Sequence, residues 1–368
     1  MTRVLIAAGA SGGHVYPALA TAEVLRARGH DVSFVGGDRL EATVVPEAGF
    51  PFHALPIRRP PSVRIELLTP HGIGAVASIV RATFLAGRLI RELRPDVVLG
   101  MGGFAALPVT IAAARKRKKL VLHEQNAHLS LAQRIPLRWA DVLALGLPVE
   151  EQLPRVKVEV VGEPVRHSIT ALASMTGDER IAFRRSARSQ LGLDADASTL
   201  FVFGGSLGSG PLNESVPRAQ LPDDVQILHL AGTGRDEAVR DAWRSRGRRA
   251  VVFPYLDAIE NAYAAADVVV ARSGASSVAE FAIAGLPSIL VPLPTLRRGD
   301  QEANARFFER AGAAVIVPQS DPSFVARIGQ EATRVLTDGG ARKVMSDAAR
   351  SVARPDAADR LADVIEAV

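Results

Sequence analysis

The residues of this 368-residue chain best suited to chemistry sit in short glycine-rich bends. His14 closes the run Gly9-Ala10-Ser11-Gly12-Gly13-His14, directly after the apolar stretch Val4 to Ala8. A second bend, Gly204-Gly205-Ser206-Leu207-Gly208-Ser209, follows the apolar stretch Leu200 to Phe203. A strand that runs into a helix through such a bend leaves backbone N–H groups unpaired at the helix start, and glycine lets the backbone approach a ligand closely. Both bends are therefore candidate anion cradles. A histidine at a helix N-terminus is disfavoured as imidazolium, so His14 is suited to take a proton near neutral pH; the plainer reading is a ring that only hydrogen-bonds its loop.

Further along, Ala271 to Glu280 (ARSGASSVAE) delivers Ser273 and Gly274 to a new helix start, where amides and hydroxyls can hold a diphosphate. Glu280 could accept both hydroxyls of a ribose, although Ser277-x-x-Glu280 also fits a capping box. In GDQEANA (Gly299 to Ala305), Asp300, Gln301 and Asn304 share one helix face and could meet sugar hydroxyls; Asp300 could equally be an N-cap. Asp194-Ala195-Asp196 resembles a metal motif superficially but falls in a turn. With no cysteine and no His/carboxylate cluster at ligand spacing, no metal and no cofactor are expected. The first bend departs from G-x-G-x-x-G, so a nicotinamide enzyme is a weak alternative even with Asp38 after the second strand.

The elements that must carry these bends are apolar strands alternating with helices, the signature of a parallel doubly wound sheet. In the first half, strands are expected at Val4 to Ala8, His30 to Val35, Asp96 to Leu99 and Leu120 to His123, with a helix over Val15 to Arg28. The pattern restarts after VVGEPVR (Val160 to Arg166), with strands at Leu200 to Phe203, Gln226 to Leu230, Ala250 to Phe253, Val268 to Ala271, Ser288 to Val291 and Ala314 to Val317. The chain exceeds the ~250 to 300 residues at which one core stops growing. Two α/β domains follow: 1–162, with a C-terminal helix at 352–368 packing back on it, and 163–351.

A chain with 48% hydrophobic and 23% charged residues is globular, and its lack of cysteine fits a reducing compartment. Its N-terminus has no signal-peptide pattern. The uncharged stretch Val97 to Ala114 is broken by Gly100, Gly102, Gly103 and Pro108 and reads as strand, loop and core helix, not a membrane span. Residues 1–160 carry 20 Lys and Arg against 13 Asp and Glu, whereas 161–368 carry 24 against 26, so the basic excess belongs to the first domain. That asymmetry implies an anionic partner for that domain. Ile73 to Leu93 places Ile73, Val76, Ala77, Val80, Phe84 and Leu85 beside Arg81, Arg88 and Arg91, either an interfacial helix or an ordinary core-facing one. The run Arg115 to Lys119 (RKRKK) is a solvated helix end or, beside such a helix, a seat for anionic lipid. Nucleic acid is not expected: aromatic residues make up 5% of the chain and no recognition motif is present.

With these pieces placed, the chain resembles the MurG family of peptidoglycan glycosyltransferases nearly end to end. The landmarks are GASGGHVYPALA, GMGGF (Gly100 to Phe104), HEQNA (His123 to Ala127), VVGEPVR, GGSLGS, ARSGASSVAE, AGLPSILVP and DQEANA. The resemblance implies an α/β fold of the GT-B kind, two Rossmann-like domains facing a cleft. It implies transfer of N-acetylglucosamine from UDP-N-acetylglucosamine to the 4-hydroxyl of undecaprenyl-pyrophosphoryl muramyl-pentapeptide, inverting and without metal, for the cell wall and cell division, at the cytoplasmic face of the membrane. By position, His14 is the implied base. Ser11, Gly12, Gly13, Asn126, Arg166, Ser206, Leu256, Arg272, Ala275, Ser276, Ser277, Glu280, Gln301 and Asn304 are implied donor contacts; Gly103, Phe104 and Asn126, with His14, are implied on the acceptor side. The chain departs from the family at Leu207, at Asp300, and at His128-Leu129-Ser130 after HEQNA. A glycosyltransferase for another lipid or a natural product shares the fold, as does a nucleotide-sugar epimerase.

Overall fold

In the computed structural model, residues 1–9, 11–58, 69–153, 155–294 and 299–368 are described; Ala10 of the first bend lies outside them, as does the side chain of Ile73. The chain forms two compact units, Met1–Arg166 with Asp356–Val368, and His167–Pro355. The first contains β1 (Arg3–Ala7), α1 (Gly12–Ala27), β2 (Asp31–Gly36), α2 (Glu41–Glu47), β3 (Phe52–Ala54), α3 (Pro70–Leu93), β4 (Val97–Gly100), α4 (Gly103–Arg115), β5 (Lys119–Glu124), α5 (Leu131–Arg134), β6 (Val142–Leu145) and β7 (Lys157–Val160). Its seven strands pair in the order β3-β2-β1-β4-β5-β6-β7, every pair parallel.

The second unit contains α6 (His167–Ser174), α7 (Gly177–Gln190), β8 (Thr199–Phe203), α8 (Gly210–Ser215), β9 (Gln226–Leu230), α9 (Asp236–Arg244), β10 (Ala250–Phe253), α10 (Ile259–Ala265), β11 (Val268–Ala271), α11 (Ala275–Ala284), β12 (Ser288–Leu290), α12 (Asp300–Arg310), β13 (Ala314–Ile316), α13 (Phe324–Thr337) and α14 (Gly339–Ser351). Its six strands run β10-β9-β8-β11-β12-β13, again all parallel. The closing helix α15 (Ala357–Glu366) belongs to the first unit.

Parallel strands covered by helices on both faces must be apolar throughout, not alternating. Val4, Leu5, Ile6 and Ala7 of β1 are all buried, as are the four residues of β11. Each fully buried Val, Leu or Ile contributes roughly 1.5–3 kcal/mol relative to exposure, so an aspartate at Val269 would leave an uncompensated charge at the centre of the second sheet. Both sheets present their strand ends, and hence the loops that follow them, at one edge. The bends after β1, β4 and β5 cluster in the first unit for that reason; those after β8 and β11 lie together in the second.

Helix α15 is held to α1 by apolar packing and charge. Leu361, Ala362, Val364 and Ile365 join the core that contains Ala22 and Leu25. Arg28, at the end of α1, reaches Asp359, Asp363 and Glu366 at 2.6 to 3.0 Å, and His30 reaches Glu366 at 2.6 Å. In the second unit the buried pair Arg188–Asp267, 2.8 Å, fastens α7 to the start of β11, where Asp267 also accepts from the Thr199 amide. The helix after the second glycine bend, α8, spans only six residues before a 3-10 turn at Val216–Arg218.

Candidate functional site

In the first unit, β1 ends where Ala7 accepts from the Met101 amide, and the chain turns into α1 at Gly12. Ser11 is the N-cap residue, but its hydroxyl bonds the Nδ1 of His14 at 2.7 Å instead of capping the helix. With Nδ1–H donating to that hydroxyl, the lone pair of Nε2 is left to accept a proton. The ring lies against the loop after β4. A Cβ on Gly102 would stand 3.3 Å from His14 Cδ2 and 3.4 Å from Nε2, and one on Gly103 would stand 2.8 Å from the Gly9 carbonyl. Both glycines also have left-handed backbones, φ +84° and +76°, so only glycine fits comfortably there. Burial pushes the imidazole down to about 4, which keeps it neutral at pH 7.

The loop after β5 braces this arrangement. Gln125 donates to the Gly13 carbonyl at 2.8 Å and to the Met101 carbonyl at 3.3 Å, tying the first bend to the β4 loop. Gln133, on α5, donates to the carbonyls of Gly100 and His123. Glu124 is buried, which raises its pKa, and accepts from the amide and side chain of Asn126 and from the Ser130 amide. Asn126 is thereby turned with its NH₂ toward Glu124 and stays half-buried in the loop after β5, while Gly103 and Phe104 open α4 near His14. The guanidinium of Arg166 lies 5.3 Å from the centre of the Tyr16 ring, on α1.

In the second unit the bend after β8 is an exposed turn, with Gly208 N–H donating to the Gly205 carbonyl at 2.9 Å. A Cβ on Gly208, φ +70°, would come within 2.0 Å of the Ala231 carbonyl, so this loop rests directly on the backbone after β9. Ser206 is exposed at its tip, and Leu207 beside it is 85% exposed. Behind the loop, Asn213 donates to the Ala231 carbonyl and its Oδ1 faces His229 Nε2, while Trp243 Nε1 donates to His229 Nδ1. Burial holds His229 down at about 3.

After β11, Gly274 is the N-cap of α11, so Ala275, Ser276 and Ser277 form the first turn, whose amides have no partner within the helix. Because Ser277 stands inside the helix, it does not cap Glu280. Instead Glu280 Oε2 accepts from the Tyr263 hydroxyl at 2.5 Å. Arg272 is buried, and desolvation lowers its pKa. Its Nε donates to Ser209, Nη1 to the carbonyls of Val291 and Pro292, and Nη2 to Gln319. On α12, Asn304 is fully buried and donates to the Ser273 carbonyl, Ser273 donates to the Gln301 carbonyl, and Gln301 Oε1 accepts from the Leu293 amide. Leu256 is half-buried in the loop between β10 and α10. The turn Asp194-Ala195-Asp196 is accounted for locally: Asp194 accepts from the amides of Asp196 and Ala197, and Asp196 pairs with Arg185 at 2.6 Å.

Each unit thus gathers its own candidates. His14, Ser11, Gly12, Gly13, Gly103, Phe104, Asn126 and Arg166 lie on the first; Ser206, Leu256, Arg272, Ala275, Ser276, Ser277, Glu280, Gln301 and Asn304 lie on the second. Gln133 and Tyr263 were not legible as contributors, because their partners are remote in sequence and nothing in their own neighbourhoods announces them.

Residues 4–144 match the glycosyltransferase family 28 N-terminal domain, and residues 199–361 match the family 28 C-terminal domain. The chain is 40% identical, over 99% of its length and 98% of the relative's, to a UDP-N-acetylglucosamine–N-acetylmuramyl-(pentapeptide) pyrophosphoryl-undecaprenol N-acetylglucosamine transferase of Halorhodospira halophila. A Cutibacterium acnes protein of the same name is 38% identical, with 98% of this chain and 96% of the relative covered. Among solved structures, MurG of Acinetobacter baumannii is similar with a TM-score of 0.77 and 27% identity, each chain fully covered. A UDP-N-acetylglucosamine 2-epimerase candidate from Listeria monocytogenes, 16% identical with a TM-score of 0.68 over 99% of this chain and 95% of that one, shares the fold.

Proposed function

This chain belongs to glycosyltransferase family 28 and, within it, to the UDP-N-acetylglucosamine–N-acetylmuramyl-(pentapeptide) pyrophosphoryl-undecaprenol N-acetylglucosamine transferases, and from that premise we propose how its residues perform the transfer. It has the GT-B fold, two Rossmann-like parallel-sheet units, and moves N-acetylglucosamine from UDP-N-acetylglucosamine to the undecaprenyl-linked muramyl-pentapeptide in peptidoglycan synthesis. The observation that carries the reaction class is identity near 40% along essentially the whole chain and the whole relative.

The first unit takes the lipid acceptor and the second holds most of the nucleotide sugar, Ser11, Gly12, Gly13, Asn126 and Arg166 being the donor contacts proposed on the first. Neutral His14, held by Ser11, removes the proton from the muramyl 4-hydroxyl as that oxygen attacks the anomeric carbon from the face opposite UDP, inverting α to β. The departing diphosphate is met by the first-turn amides of α11, by Ser206 and by the positive charge of Arg272, aimed at charge as it develops. Glu280 takes the ribose hydroxyls and the Leu256 backbone the uracil. Gln301 and Asn304 shape the sugar pocket through the Ser273 and Leu293 loops that they hold.

Among the described residues no helix is long and apolar enough to cross a membrane. Peripheral attachment to the cytoplasmic face is supported by α3. Val76, Val80 and Phe84, one turn apart, are 46%, 52% and 69% exposed, while Ala75, Ala82, Ala86 and Ile90 face the core. Val76, Val80 and Phe84 are therefore off the core face, with Arg81 and Arg88 flanking them, whereas Leu85 of the same stripe packs against the core. The basic run at the end of α4 adjoins the same helix, since a Cβ on Gly87 would stand 3.3 Å from Lys116 Cε. Anionic lipid suits that surface.

The test supplies UDP-N-acetylglucosamine with purified lipid acceptors and follows UDP release, with and without a chelator. Release only with the muramyl lipid, unaffected by chelation, supports the reading. Turnover of donor with no acceptor present would redirect it to an epimerase, and activity restored only by magnesium or manganese would remove the metal-free leaving-group site.

A further inference from the structure

The second unit has a pocket of about 330 Å³ at the edge of its sheet opposite the glycine bends, bordered by Ala266 and Asp267 at the start of β11 and by Pro287 before β12. Its rim is strongly basic. Arg180 and Arg184 come from α7, and Arg342, Lys343 and Arg350 from α14. Two carboxylates line it, and both are engaged: Asp267 by Arg188 at 2.8 Å and Arg184 at 3.2 Å, and Asp347 by Lys343 at 2.5 Å.

The remaining cations are poorly compensated. Arg180 makes one long hydrogen bond, 3.4 Å, to the Met175 carbonyl, and Arg342 donates to the Leu336 carbonyl at 2.9 Å; neither meets a carboxylate among the described residues. Arg350 approaches Asp347 only to 3.6 Å. Burial, then the like charges of Arg350 and Arg184, lower the proton affinity of Arg180, a crowding that a bound anion relieves. Arg350 is fixed in place, because its guanidinium packs so closely on Gly285 that a Cβ there would come within 2.5 Å of it. The floor is less polar, formed by Leu172, Phe183 and Leu286.

We propose that this pocket binds a phosphorylated small molecule, its phosphate among Arg180, Arg342 and Arg350 and its less polar body on Leu172, Phe183 and Leu286. Guanidinium groups suit phosphate through paired N–H donors, and the cavity has room for more than the phosphate alone. This site is separate from the diphosphate site of the donor.

The test is calorimetric titration of the whole protein, presaturated with UDP, using inorganic phosphate and phenyl phosphate against sodium chloride at matched ionic strength. Saturable binding of one equivalent is expected, tighter for phenyl phosphate because of the apolar floor. Arg180→Gln should weaken both by about tenfold, the loss of one charge-assisted contact. Arg342→Gln should act in the same direction and serves if the first variant melts early, whereas Ser206→Ala should bind as the parent does. No saturable binding, undiminished binding in both arginine variants, or loss of binding in Ser206→Ala would each overturn the assignment; the last places phosphate at the donor bends. None of these outcomes bears on UDP-sugar turnover, which tests the transferase mechanism.

Discussion

Replacing His14 with alanine, and with glutamine to retain bulk, probes the base directly. Burial lowers the ring to about 4, so at pH 7 only about one molecule in a thousand carries the imidazolium and the lone pair is available. A positioned general base is worth about 10²–10⁴-fold, or about 2.7–5.5 kcal/mol of barrier at about 1.36 kcal/mol per decade. Both variants should lose kcat by that range, with UDP affinity nearly unchanged, because the nucleotide contacts are assigned to the second unit. The assay is UDP release at saturating donor and acceptor, followed by kcat/KM against pH. Since the folded pKa lies below the ordinary histidine value of 6.5, the parent keeps the base form as pH falls through that value and loses activity only on approaching about 4. That acid limb should be missing in His14→Ala. An acid limb centred near the ordinary value, or variants that turn over within about threefold of the parent, would refute the assignment of the proton to this ring.

Three further outcomes follow from the same geometry. Tyr263→Phe removes the hydroxyl that donates to Glu280, a bond to a charged group worth about 1.5–3 kcal/mol, and should raise donor KM by roughly tenfold while kcat holds; an unchanged KM would detach Glu280 from the ribose. Val80→Asp with Phe84→Asp should reduce sedimentation with anionic vesicles by more than about tenfold, given the apolar area involved, and leave the melting temperature nearly intact, since both side chains already face outward. His123 and His229 are buried with pKa values near 4 and 3, both lowered mainly by desolvation. The unfolded chain therefore binds their protons first, and denaturant stability should fall by about 1.4 kcal/mol per pH unit for each histidine below about 6.5, reported for the second unit by Trp243 fluorescence. A flat stability profile across that interval would mean that water reaches the rings.

The fold was legible because parallel strands covered on both faces must be written in apolar residues. Gln226–Leu230, Ala250–Phe253 and Val268–Ala271 lie where the residues alone place them, and most other expected strands fall within a residue of their ends. Three strands were not read. β3 is three residues long at the sheet edge, and β7 (KVEV) is an edge strand whose residues are mostly exposed and carry charge. β6 (VLAL) is a fully buried run of four like β11 (VVVA), but its leucines and alanine suit a helix as well as a strand, whereas the valines of β11 mark it as a strand. In α3 the difficulty was different. The first half of its core face is built from Ala75, Ala82 and Ala86, with Leu85, Leu89, Ile90 and Leu93 following, while Val76, Val80 and Phe84 point outward, so hydrophobicity at helical spacing could not say which stripe was inside. Only the packing of the helix distinguishes them.

The site itself was partly legible, and the unread part has a common cause. Histidine, serine and glycine at a helix start signal their chemistry through backbone geometry that the local sequence encodes. Arg272 and Asn304 also look like ligands, yet their donors serve mainly the carbonyls of Val291, Pro292 and Ser273 and the side chains of Ser209 and Gln319. A cradle made of amides has no side chain of its own to stiffen it, so its rigidity must come from groups behind it. Gln125 does this for the first bend, from the loop after β5. In the proposed mechanism this bracing serves the base: a first bend already held by Gln125 keeps His14 in place, so it need not reorganise as the acceptor proton leaves. Substituting Arg272 should therefore loosen the loops around Ser209 and Val291 as well as remove a positive charge. The two effects separate by salt, since screening weakens the charge contribution and leaves the lost hydrogen bonds as they are.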